Sequence, residues 1–247
     1  MSQTLLFGGS GFLGPIILEK YPALISVGRT PLPSYISNHH IPLDLLDDFS
    51  ALDSIDFDSV IFLIGNSNHH AINQSPCMGI DTNVVPLKKA LHYFQNRKLK
   101  KFICFTTILL YDTKKMALPV DESQAINPYI NDYVFSKYLS EQLVQFYSER
   151  VPSLIVRFTN IYGPTKLIRP DLVPTLIQSI LSPNETTVWN KKPVRDFLFL
   201  DDAADALMAL IESDLCGVVN LGTGKSSSVG DVTSILERLS GKVIRDL

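Results

Sequence analysis

Thr4-Leu5-Leu6-Phe7-Gly8-Gly9-Ser10-Gly11-Phe12-Leu13-Gly14 is the stretch on which the reading of the fold turns. A short apolar run feeds four glycines, and a helical pattern opening on Pro15 follows at once. This is the order strand, tight turn, helix start. Two glycine spacings overlap in it, Gly8-x-x-Gly11-x-x-Gly14 and Gly9-x-Gly11-x-x-Gly14. Glycine lets the chain turn sharply and lets a ligand come close to the backbone. A helix start offers unpaired N–H groups and the positive end of its dipole. The arrangement suits the pyrophosphate of a dinucleotide, with a plain glycine-rich turn as the alternative.

Outward from that turn, apolar runs and helical patterns alternate. Leu24–Val27 reads as a second strand ending at Gly28-Arg29-Thr30, and a third runs into Pro42-Leu43-Asp44. Ser59–Ile64 is almost continuously apolar, as a parallel strand buried on both faces should be. Asn66–Ser75 reads as a polar loop, Ile80–Arg97 as a helix, Lys101–Thr107 as a strand, Tyr133–Glu149 as a helix and Ser153–Phe158 as a sixth strand. Alternation at this spacing predicts an α/β fold, a doubly wound parallel sheet of Rossmann type. Beyond Gly163 the alternation loosens. The expectation is a nucleotide-binding domain over 1–163, rejoined by segments near 196–222, and a small interleaved substrate lobe made mainly from 164–247.

The 22 basic and 25 acidic residues give a net charge of −3, which leaves no electrostatic footprint for nucleic acid or an anionic membrane. Met1-Ser2-Gln3 leads straight into a strand with no basic leader, and no apolar run approaches the roughly 18 residues of a membrane span. Cys77, Cys104 and Cys216 are scattered and form no Cys-x-x-Cys pair, as in a reducing compartment. The adjacent pairs His39-His40 and His69-His70 point their side chains apart, so no metal site is expected. The expectation is a cytoplasmic protein acting on small molecules.

Tyr133-Val134-Phe135-Ser136-Lys137 carries the most chemistry. A Tyr and a Lys four apart share one helical face. A tyrosine titrates near ~10, so acid/base work near neutrality needs about three units of help, ~4 kcal/mol. A lysine ammonium and a nicotinamide cation beside it could supply that. A solvated lysine beside a half-buried tyrosine is the bland alternative. Thr107, at the end of the fifth strand, could bond the same substrate oxygen, or Thr106 and Thr107 could simply fill a strand with β-branched residues.

Together these segments resemble the extended short-chain dehydrogenase/reductase family of nucleotide-sugar epimerases, dehydratases and reductases. The likeness runs from Leu5 to about Leu239. Besides the glycine loop it rests on Asn83 in Asp81-Thr82-Asn83-Val84, Thr107-Ile108-Leu109-Leu110-Tyr111, and Tyr133-x-x-Ser136-Lys137 with Glu141. Val156–Pro164, Arg195–Asp202 and Val219-Asn220-Leu221-Gly222-Thr223-Gly224 complete it.

The resemblance implies that Tyr133 is the acid/base, that Lys137 lowers its pKa and holds the nicotinamide ribose, and that Thr107 orients the sugar oxygen. It places the cofactor on Gly8, Ser10, Gly11, Phe12, Leu13, Gly14, Arg29, Asp44, Leu45, Ile64, Gly65, Asn66, Tyr133, Lys137, Phe158 and Ile161. Asn160 and Arg195 would join Thr107 in binding substrate, on its diphosphate and on a phosphate or ribose. The alternatives are a loop-capping amide for Asn160 and an ion pair with Asp196 or Asp202 for Arg195. For Asn83 a structural bond to a neighbouring strand is preferred. The family's tyrosine usually follows proline directly. Here Pro128 is followed by Tyr129, and only Tyr133 has a lysine at i+4, which implies a four-residue extension.

Arg29 stands where a carboxylate would accept the NAD ribose hydroxyls, and a guanidinium suits a 2′-phosphate. NADP is therefore expected, with NAD as the alternative if Arg29 only stacks on adenine. The family's dehydratases carry Thr-Asp-Glu where this chain has Thr107-Ile108-Leu109, and aliphatic residues can neither donate nor abstract a proton. The expected activity is an NADP-dependent reductase of a nucleotide-activated 4-keto-sugar. The alternatives are an NAD-dependent nucleotide-sugar 4-epimerase and a non-catalytic NADP-binding sensor or scaffold. By the same resemblance the protein would be a homodimer through the helices at 80–97 and 133–149. Relatives continue past the position where this chain stops, so a sugar pocket that is abbreviated, completed by a partner or suited to a smaller substrate is expected.

Overall fold

Leu5, Leu6 and Phe7 are completely buried on strand β1 (Gln3–Phe7), which explains why the run carries no polar alternation. The structure is a computed structural model that describes residues 3–246 apart from 76, 168 and 184. After β1 come α1 (Gly14–Lys20), β2 (Ile25–Gly28), β3 (His40–Pro42), β4 (Phe57–Phe62) and α2 (His69–Gln74). A π-helical turn, Ile80–Val84, leads into α3 (Val85–Phe94), followed by β5 (Lys101–Thr107), a tight helical turn Ile108–Leu110, α4 (Asp132–Tyr147) and β6 (Ser153–Phe158). The chain then forms β7 (Asn160–Tyr162), α5 (Leu172–Leu181), β8 (Thr186–Val188) and β9 (Val194–Phe199). It continues through α6 (Leu200–Glu212), β10 (Gly217–Leu221), β11 (Ser226–Ser228), α7 (Val229–Ser240) and β12 (Ile244–Asp246).

The chain divides into two bodies. The first runs to Phe158 and takes in Asp201–Leu221; the second comprises Thr159–Leu200 and Gly222–Leu247. In the first, seven parallel strands lie in the order β3-β2-β1-β4-β5-β6-β10, a doubly wound Rossmann sheet. Successive connections leave β1 in opposite directions, so the C-terminal ends of β1 and β4 flank the switch point where such sheets bind ligands. Phe94 of α3 is the hub of the core: its ring meets Phe7, Phe57 and Phe102 at centroid distances of 5.8, 6.0 and 5.8 Å, tying the helix to β1, β4 and β5. In the second body β9 lies between β11 and β7, and β8 pairs with β12. Leu176 and Ile180 of α5 pack there with Val188 and Ile244. Among the described residues no helix is long and apolar enough to cross a membrane.

Two expectations give way. Asn66–Ser75 is not all loop, because His69–Gln74 is helical. Its one buried residue is Ile72, too little apolar content to show a repeat, and the Asn68 side chain starts it by accepting from the Ala71 N–H at 3.1 Å. The helix expected over Ile80–Arg97 is a π turn followed by an α-helix that ends at Phe94. Pro86 stands in the first turn of α3 and has no N–H to donate backward, so the preceding turn widens.

Candidate active site

The loop after β1 is shaped by its own backbone. Gly8 has φ +90°, and the Gly11 N–H donates to the Gly8 carbonyl at 3.0 Å. A Cβ on Gly14 would lie 2.6 Å from Gly9 Cα and from Gly9 O, so only glycine lets α1 start this close to the turn. Among the described residues no side chain caps α1, and its first turn holds no acidic residue. The Leu13 side chain is buried, which leaves its backbone to face a ligand, while Ser10 and Phe12 are half-buried. This uncapped, acid-free loop at the switch point fits the pyrophosphate of a nicotinamide dinucleotide.

Across the switch point, β4 is followed by Ile64-Gly65-Asn66. Asn83 clamps that end: its Oδ1 accepts from the Asn66 N–H at 2.6 Å, and its Nδ2 donates to the Asn66 carbonyl at 3.2 Å and to Ser136 Oγ at 2.9 Å. Ser136 Oγ in turn donates to the Tyr133 carbonyl at 2.8 Å, and Ser140 Oγ to the Asn83 carbonyl at 3.2 Å. A Cβ on Gly65 would lie 2.8 Å from Asn83 Oδ1 and 3.2 Å from Lys137 Nζ, so the lysine's ammonium reaches the end of β4. Lys137 is half-buried as a whole residue, yet protein surrounds its ammonium, and desolvation pushes it below the usual lysine range. Beside it on β5, burial pushes the Cys104 thiol up to about 12.

α4 begins at Asp132, with the Asn131 side chain accepting from the Val134 N–H at 2.9 Å. Tyr129 therefore lies outside the helix, 79% exposed, while Tyr133 is in its first turn and buried. Two α2 residues meet Tyr133, and neither was placed by the sequence. The His69 ring stacks on the phenol with centroids 4.0 Å apart and 19° between planes, and Asn73 Oδ1 accepts from the Tyr133 N–H at 3.2 Å. Asn68 as a helix cap was the one available signal for them. Leu110 packs with Tyr133, Val134 and Ile72, and it lies in the turn that Thr107 caps by accepting from the Leu109 N–H at 3.2 Å. Thr106 points the other way, donating to Glu141 at 2.7 Å. Glu141 also takes a bidentate pair from Arg157, at 2.9 and 2.7 Å. Phe158 is stacked on Phe105 at 5.1 Å.

At the far end of the sheet, Arg29 is exposed and its Nη1 lies 3.5 Å from Asp44 Oδ2. Asp44 Oδ1 also accepts from the Leu46 N–H at 2.9 Å. A phosphate approaching Arg29 would therefore meet a carboxylate as well. The Leu45 side chain is in the core and can offer a cofactor only its backbone. In the second body Asn160 Nδ2 donates to the Asp196 carbonyl at 3.1 Å, and Arg195 Nη1 lies 3.5 Å from Asn160 Oδ1. The Asp196 carboxylate is taken up by the N–H groups of Thr223 and Gly224, at 3.0 and 2.8 Å. Arg195 thus neighbours Asn160, and the buried Ile161 follows it on β7.

The family model for the NAD dependent epimerase/dehydratase family matches residues 4–222. The chain belongs to that family. A putative UDP-glucose 4-epimerase of Methanocaldococcus jannaschii is 25% identical over 258 residues, covering 97% of this chain and 83% of the relative. Among solved structures, a UDP-N-acetylglucosamine 4-epimerase from Methanobrevibacter ruminantium M1 in complex with UDP-N-acetylmuramic acid superposes with a TM-score of 0.88 at 21% identity, covering 99% of this chain and 84% of that one. That likeness is one of fold. The UDP-glucuronic acid 4-epimerase from Bacillus cereus in complex with UDP-glucuronic acid and NAD gives 0.83 at 25% identity, covering 99% and 85%. As a member of the NAD dependent epimerase/dehydratase family, the chain is an NAD(P)-dependent oxidoreductase/epimerase of the extended short-chain dehydrogenase/reductase type.

Proposed function

We propose that this enzyme is an NAD-dependent 4-epimerase of a UDP-sugar, with Tyr133, Lys137 and Thr107 at its reacting centre. The observation that carries the reading is Tyr133 and Lys137 in the first turns of α4, with the lysine's ammonium against Gly65 at the switch point. Epimerases among the relatives support it, and one of them is seen with NAD. The NADP-dependent reductase expected from Arg29 gives way to this alternative, because Asp44 beside Arg29 opposes a 2′-phosphate. A non-catalytic role is disfavoured by Thr107, Tyr133 and Lys137 being present together.

NAD, held by the glycine loop and Lys137, would supply reversible hydride transfer at C4 of the sugar. The chain's residues manage the proton. Tyr133 Oη takes the proton of the C4 hydroxyl as the hydride leaves and gives it back afterwards. Lys137 favours the phenolate by its charge, in surroundings that strengthen the interaction. Thr107 Oγ1 holds the same sugar oxygen. Ile108 and Leu109 offer no proton for a dehydration.

The test is to denature the purified protein, identify the released nicotinamide nucleotide, and incubate fresh protein with UDP-glucose, UDP-glucuronate and UDP-N-acetylglucosamine. Tightly held NAD and a 4-epimer approaching equilibrium without added cofactor are expected, with Tyr133→Phe slower by about 10²–10⁴-fold. Stoichiometric NADPH consumption with a 4-keto-sugar nucleotide would restore the reductase. We also propose a homodimer through α3 and α4. Lys88 Nζ of α3 donates to Tyr147 Oη of α4 at 2.5 Å, and Phe146 beside it is 65% exposed. A monomer in sedimentation would exclude it.

A further inference from the structure

We propose that His69 is a positioning residue for Tyr133, its imidazole lying flat on the phenol and fixing the plane of that ring. The inference rests on the reading of Tyr133 as the proton-transferring group. Rotation of a tyrosine ring about its last torsion is soft; it leaves the hydroxyl oxygen on the axis but turns the ring plane, in which the phenolic O–H bond lies, and a proton transfer needs that bond aligned. The rings lie 4.0 Å apart and 19° from parallel, nearer than the lower limit of about 4.5 Å usual for aromatic pairs.

The burial pattern separates this contact from ordinary core filling. Tyr133 is 4% exposed and packs with Ile72, Leu110 and Val134, whereas His69 is exposed. An exposed imidazole covering a buried phenol adds little to the core, but it covers one face of the ring. The support beneath His69 is also specific. Asn66 Oδ1 accepts from the Asn68 N–H at 2.9 Å, and Asn68 caps α2, whose first residue is His69. Asn66 is itself held through its backbone by Asn83, which also bonds Ser136 of α4. From the last turn of α2, Asn73 holds the Tyr133 N–H. One short helix thus grips Tyr133 by backbone and by ring, and both grips are referred to the β4 end that Lys137 reaches.

The experiment compares wild type with His69→Ala, His69→Phe and Tyr133→Phe. His69→Ala should lower kcat about tenfold and leave KM and NAD content within about twofold, because the ring loses its alignment and not its pocket. His69→Phe keeps a flat ring and should recover most of kcat. Nuclear magnetic resonance of labelled tyrosine gives a readout free of turnover: the Tyr133 ring should flip faster in His69→Ala than in wild type or His69→Phe. Unchanged kcat and ring flipping in a folded His69→Ala protein would overturn the inference, as would a Phe variant no better than Ala. Tyr133→Phe with full activity would instead overturn the acid/base reading, while the ring-flip comparison would still decide whether His69 positions the ring.

Discussion

Glu141→Ala should destabilise the first body by about 3–5 kcal/mol, since it strands a buried guanidinium. Glu141 is 1% exposed and Arg157 5%. The carboxylate accepts from Arg157 Nε at 2.9 Å, from Arg157 Nη2 at 2.7 Å and from Thr106 Oγ1 at 2.7 Å. The guanidinium lies over the Tyr111 ring at 4.9 Å, and Tyr111 Oη donates to Asn220 Oδ1 at 2.8 Å. Burial opposes the charge on Arg157, but Glu141 outweighs it and holds the guanidinium above its ordinary range. A raised pKa on a base means that the charged form is favoured in the fold. That stabilisation is complete at every pH below the unfolded value and fades only in strong alkali, so neutral pH offers no escape by deprotonation.

At about 2–4 °C per kcal/mol, the Ala variant should melt roughly 6–20 °C lower. The pair as a whole behaves differently from either half. Glu141→Leu with Arg157→Met replaces both charges by apolar groups and should lie within about 2 kcal/mol of wild type, or above it. The assay is urea unfolding followed by far-ultraviolet circular dichroism. Fluorescence of the single tryptophan would not serve, because Trp189 is in the second body and 89% exposed. A loss under about 1 kcal/mol in Glu141→Ala, or a double variant as unstable as the singles added, would refute the reasoning.

Gly14→Ala puts a methyl group against the backbone of Gly9, which cannot swing aside, so NAD affinity should fall at least roughly tenfold, about 1.4 kcal/mol, in a fluorescence titration. Asp44→Asn frees Arg29 from its carboxylate and should raise the affinity for NADP relative to NAD by a few fold, the scale of an exposed ion pair, whereas Arg29→Ala should leave NAD binding within about twofold. Asn131→Ala removes the cap of α4 and should lower stability by about 1 kcal/mol in thermal unfolding.

The sheet of the first body was legible because it obeys long-range rules. Strands buried on both faces must be apolar throughout, as in Leu5-Leu6-Phe7 and Val60-Ile61-Phe62, and parallel neighbours must be joined by helices. Short elements escaped for the converse reason. Ser226–Ser228 pairs antiparallel with β9, and three serines carry no alternation to read. α2 buries one side chain, so nothing in its apolar pattern distinguishes it from a loop.

The site divides along the same line. The placement of Tyr133 and Lys137 on one face was legible because a helix fixes it locally, and the shape of the glycine loop because steric exclusion fixes it locally too. Arg29 was read toward NADP without its partner, since Asp44 stands fifteen residues away in sequence though only 3.5 Å away in space. His69 was read only as not ligating a metal, for the same reason: adjacent side chains do point apart, but what each then meets depends on the helix that carries it. Local spacing can therefore name the groups proposed for the chemistry. What tunes and aligns them comes from segments remote in sequence, so variants at Asp44 and His69 will reveal more about this enzyme than further substitutions within its motifs.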